Sequence, residues 1–197
     1  MLGVRLPNIA LCVILTALAT PALAQTPATH DKAWWQAVAA SKFEIPSDTP
    51  LPALLDELTA LLGHQDPELR DDIAYTTLVQ WMYVKRVVPE AERLRLMRVW
   101  QANLRAGIGE QGTPSVLRRS FSALALAILP GLDNEAPFLD RDAFSAILTS
   151  TLTYLRDERD VRGFDPTLGW LHSVAHTADV LRFLGRSRHL AKAEQAA

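Results

Sequence analysis

His172, His176 and Asp179 are the residues whose types and spacing point most directly to chemistry. On a helix turning about 100° per residue, intervals of four and three place all three within an arc of roughly 60°. Two neutral imidazoles and a carboxylate on one face form a donor set for Zn²⁺ or Fe²⁺. A metal held there would activate water for hydrolysis, with Asp160 or Asp165 as the base. Ser173 stands where the helical zinc-protease motif carries its glutamate, so the sequence is not that motif. Two metal-free readings use the same residues. One is a His/Asp pocket for a small polar ligand or a peptide; the other is a structural cluster in which Asp179 or a carbonyl satisfies the histidines. The sequence leaves all three open.

The stretch that leads into these residues carries Gly163, Asp165-Pro166 and Gly169, which predict a structured turn. Asp160, Arg162 and Asp165 could line a pocket there, with Trp170 at its edge; alternatively, the charged run from Arg156 is a solvated helix end with local ion pairs. Arg118-Arg119-Ser120-Phe121 reads as a helix start whose arginine reaches an acidic neighbour, and Arg119 is a candidate pocket residue. Ser120 and Ser122 invite a Ser-His-Asp reading with His172 or His176, but no Gly-x-Ser-x-Gly elbow frames either serine. Trp34, Trp35, Trp81 and Trp100 are read as core.

The elements that must position these groups are helical. Asp31 caps a segment through Lys42, and Pro50 or Pro52 opens another that ends at Gly63. Asp66-Pro67-Glu68 starts a helix to about Val87, Pro89 one to about Ala106, and Thr113-Pro114 an apolar one stopped by Pro130-Gly131. The last two run from Asp140 to Glu158 and from Gly169 to Gly185, the latter with Leu171, Val174, Ala175, Ala178 and Leu181 as core. No stretch alternates with period two. The expectation is all-α, about seven helices in antiparallel hairpins, arranged either as a HEAT-like α-α superhelix or as an irregular bundle. Asp66-Pro-x-x-Arg70 resembles the opening of a HEAT-type repeat.

Residues 1–24 read as a secretory signal peptide, with Arg5, an apolar run from Ile9 to Ala19, and small residues at Ala22 and Ala24. Residues 25–30 are then a flexible leader, 31–185 a single helical domain and 186–197 a tail. No later run is read as a membrane span. The one cysteine, Cys12, lies in the signal, so the mature chain would have no disulfide, thiolate nucleophile or cysteine-bound metal. The expected location is the bacterial periplasm or the exterior. A net charge of -2 gives no footprint for nucleic acid.

Four segments resemble the bacterial Domain of Unknown Function 2785 family: Asp66-Pro-Glu-Leu-Arg-Asp, Arg119-Ser-Phe-Ser-Ala-Leu, Asp133-Asn-Glu-Ala-Pro-Phe-Leu, and above all the block from Glu158 to Asp179. The resemblance spans about Trp35 to Gly185. It implies a helical domain and no activity. Its pattern carries over onto Arg119, Ser120, Asp133, Asn134, Asp160, Arg162, Gly163, Gly169, Trp170, His172, His176 and Asp179. The resulting expectation is an exported binding module with a polar His/Asp pocket for a small polar ligand, a peptide or an envelope protein. The alternative is a metal-dependent hydrolase using His172, His176 and Asp179.

Overall fold

The computed structural model describes residues 30–190. The expected signal peptide, nearly all of the leader and the end of the tail lie outside the described residues. α1 (Lys32–Ala40) begins where the Asp31 carboxylate accepts the Trp34 N–H at 2.8 Å. α2 (Leu51–Leu61) has a proline in its first turn. After Pro67 the chain forms one rod of three parts: π1 (Glu68–Tyr75), α3 (Thr76–Val79) and π2 (Gln80–Val84). The π parts are marked by N–H groups that reach five residues back, as Lys85 does to the Gln80 carbonyl at 2.8 Å. α4 (Glu90–Asn103) follows Pro89 and carries Glu90 and Glu92 at its positive end.

α5 (Ser115–Asp133) is the hub, packing against α4, the π1–α3–π2 rod, α6 (Arg141–Asp157) and, most extensively, α7 (Ser173–Leu184). Of the two expected arrangements, a bundle around one central helix describes these contacts. α5 runs through Pro130-Gly131 rather than stopping there. In the final turn Pro130 forfeits one N–H, while its carbonyl still accepts from Asn134 at 3.0 Å. Contrary to the sequence expectation, α5 has the length and apolar character of a membrane span; 83% of that stretch is buried inside the protein. Trp35, Trp81 and Trp100 are fully buried, and the last two donate their indole N–H to the Phe43 carbonyl (2.8 Å) and the Thr59 hydroxyl (3.2 Å).

The expected last helix starts four residues late. Residues 164–170 form a hairpin, β1 (Phe164–Asp165) antiparallel to β2 (Gly169–Trp170), and the chain enters α7 only after His172. Gly169 at φ +75° and His172 at φ 53° both lie in the left-handed region, which no right-handed helix accommodates. The buried face of α7 is correspondingly Ser173, His176, Thr177, Val180 and Leu184, whereas Val174, Ala175 and Ala178 are exposed. Hydroxyls suit this face because each finds a carbonyl: Ser173 donates to Asp160 and Thr177 to Ser173, both at 2.7 Å.

Candidate functional site

Buried arginines build the region. Arg119, on α5, has no exposed side-chain surface; its Nε and Nη2 form a two-pronged pair with Glu158 at 2.6 and 3.1 Å. Its Nη1 donates to the carbonyls of Ala106 and Gly107 and to the Ser115 hydroxyl. Arg119 thus ties the loop after α4 to the end of α6. Its acidic partner, Glu158, was not singled out from the sequence, although it opens the block resembling the family.

Asp160, 2% exposed, accepts from Arg162 Nε and Nη2 at 2.8 and 2.7 Å and from the Gly112 N–H at 3.0 Å. These bonds, Arg162's foremost, hold its carboxyl below the usual range. Arg162 also reaches Asp165 at 2.9 Å, and Asp165 in turn accepts the N–H groups of Thr167 and Leu168, closing the hairpin turn. The three expected pocket residues are brought together, and their acceptors are spent on the backbone and on one another.

Arg70, from π1, is the residue sequence reasoning missed. It is fully buried and lies 4.7 Å above the Phe121 ring. Its Nη2 donates to Asp71 (2.9 Å) and to the carbonyls of Leu168 (3.0 Å) and Trp170 (3.4 Å), and its Nη1 to the His64 carbonyl (3.0 Å). Arg70 therefore fastens the hairpin to a helix about 100 residues earlier. The signal in the sequence is the Asp-Pro-x-x-Arg spacing, which on its own resembles the opening of a repeat. Burial pushes Asp71 up, against the opposing pull of Arg70.

Ser120 and His176 form a buried pair. The imidazole Nδ1 lies 2.9 Å from the Ser120 hydroxyl and 3.3 Å from the Ser120 carbonyl. A carbonyl only accepts, so Nδ1 carries the proton and Nε2 keeps a lone pair. The Ser120 hydroxyl donates to the Leu171 carbonyl, which turns its proton away from the imidazole and removes the nucleophilic reading. Ser122 accepts from Asn103 at 3.0 Å and belongs to the core. Burial, followed by the proximity of His172, pushes His176 down to about 4. It stays neutral at pH 7.

These clamps present an aromatic ledge. Trp170 is 53% exposed and lies flat on His172, ring centres 4.5 Å apart and planes 8° from parallel. Phe164, 58% exposed, meets the Trp170 ring edge-on at 5.0 Å. Val161 and Val174 are exposed nearby in the chain.

Two expected site residues lie elsewhere. Asp133 is at the far end of α5, about 20 Å from Ser120 at 1.5 Å per residue, where it accepts the Phe138 and Leu139 N–H groups and pairs with Arg188 at 2.8 Å. Asp179 pairs with Arg182 at 3.3 Å and lines a separate groove with Tyr75. The His172 and His176 rings are 5.6 Å apart, but no group of three His, Cys, Asp or Glu side chains is gathered for a metal among the described residues. The expected Zn²⁺ or Fe²⁺ set therefore does not assemble: His172 precedes the helix, so the shared-face spacing does not apply to it.

The family model described as "Protein of unknown function (DUF2785)" matches residues 104–197. This match includes α5, α6, the hairpin and α7, and it leaves Arg70 and its helix outside. No curated protein and no solved structure gives a significant match.

Proposed function

We propose, taking residues 104–197 as a DUF2785 region, that the protein is an exported binding module whose recognition element is the hairpin ledge of Phe164, Trp170 and His172. The observation that supports this reading is the cost at which the ledge is displayed. Two large aromatic side chains stand more than half exposed on a hairpin whose carbonyls are gripped by a fully buried arginine. A large aromatic left in water and held rigid is the usual form of a binding anchor, because little ordering remains to oppose association. The ligand it suits has a flat or apolar face to lie on Trp170 and polar groups for the rim of Asp71 and His172. Export rests on the composition of residues 1–24.

A nuclear magnetic resonance screen of small polar ligands and short peptides, with the Trp170 indole N–H as reporter, tests this function. Binders are expected to shift Trp170 and His172 first. A screen whose binders all map away from the hairpin would refute the assignment.

A further inference from the structure

A second site lies further along α7. Tyr75, Val79 and Tyr83 form one side of a groove of about 280 Å³, Asp179, Arg182 and Phe183 form the other, and α5 supplies an apolar floor. The tyrosine wall belongs to the rod that departs from α-helical geometry. In an α-helix residues four apart drift by about 40°, as Val79 does from Tyr75 across α3, and the wider turn of π2 brings Tyr83 back towards the Tyr75 row. π turns are rare and recur at functional sites, so a rod that keeps two of them along a groove marks that groove for use. The floor is kept low by Ala127 and by Gly131, where a Cβ would come within 3.5 Å of the Phe183 ring.

The charges define the occupant. The only charged side chains in the lining, Asp179 and Arg182, are paired at 3.3 Å. At the end marked by Tyr83, its hydroxyl donates to Glu135, which also pairs with Arg86 at 2.5 Å. An ion entering the groove would meet a lining whose charges already offset one another. The Tyr75 hydroxyl, by contrast, has no hydrogen-bond partner among the described residues, and burial together with Asp179 pushes it up, so it remains a neutral donor. The volume lies just under the usual range of ligand pockets, which suits a small occupant.

We infer that this groove binds an uncharged small molecule with an apolar chain and one hydrogen-bonding group, the chain lying along α5 and the polar group meeting Tyr75. The test uses purified protein with methyl labels and three eight-carbon probes: 1-octanol, octanoate and octylammonium. 1-Octanol is expected to shift the methyls of Val79, Leu124 and Ile128 and to bind more tightly than either ion. Tyr75→Phe, which removes only the hydroxyl, is expected to weaken 1-octanol about threefold to tenfold. An ion binding as tightly as the alcohol, shifts centred away from these methyls, or an unchanged affinity in Tyr75→Phe would each overturn the inference. So would a dimer that closes the groove and dissociates only as octanol is added.

Discussion

At the scale of single residues, His176 shows how burial sets behaviour. Its folded value, about 4, lies below the ordinary 6.5, so the unfolded chain binds the proton more readily. The resulting stability is present above pH 6.5 and is lost as the pH falls towards 4, about 3 kcal/mol in all. His176→Asn retains a donor for Ser120 and cannot titrate. Its unfolding free energy is expected to be flatter than that of the wild type between pH 6.5 and 4, as measured by urea titration at stepped pH. An equal slope in both proteins would place the titrating group elsewhere. Gly169 is the other residue-scale test, because its φ of +75° costs an L-residue about 1–2 kcal/mol, and a Cβ there would sit 3.4 Å from Pro67. Gly169→Ala is expected to lower stability by that amount in thermal unfolding.

At the scale of elements, the hairpin is held by Arg70 from one side and by Asp160–Arg162 from within. Arg70→Met would leave the carbonyls of Leu168 and Trp170 and the Asp71 carboxylate without their donor, a loss of about 3 kcal/mol. Hydrogen exchange locates that loss: the Leu171 N–H, bonded to the Gly163 carbonyl at 2.9 Å, should exchange much faster while α5 stays protected. Uniform acceleration would mean that Arg70 supports the whole fold rather than the hairpin. The helix starts were legible in Asp31, Pro67 and Asp140 because caps and prolines act locally. The start of α7 was not, because left-handed backbone at His172 is imposed by the packing of the hairpin and nothing in the residue type announces it. The π turns were hidden for a similar reason: apolar spacings of three and four fit either helix. Arg119, Ser120 and Asp160 were legible as polar residues of consequence, but their role as clamps depends on partners as distant as Glu158 and Leu171.

At the scale of the whole molecule, α5 links the two proposed sites, carrying Ser120 beneath the ledge and Ala127 beneath the groove. The sites also share π1 and α7, but no charged group. Filling one is expected to leave the affinity of the other unchanged, and mutants in the two should combine additively. Export is tested by sequencing the N-terminus of protein recovered from the periplasm or medium. A start at Gln25 is expected, and an intact Met1 in the cytoplasm would refute it. Packing continues past Gly185, since Arg188 pairs with Asp133 and His189 meets the Leu139 carbonyl at 3.0 Å. Truncation at residue 185 should therefore lower the melting temperature.

The most direct test of the ledge is Trp170→Ala, with affinity for a hairpin-binding ligand and melting temperature measured on the same sample. With the side chain 53% exposed and its neighbours clamped independently, melting should barely move, while affinity falls about thirtyfold, as for an anchor of about 2 kcal/mol. Melting and affinity falling together, or affinity unchanged, would contradict the account.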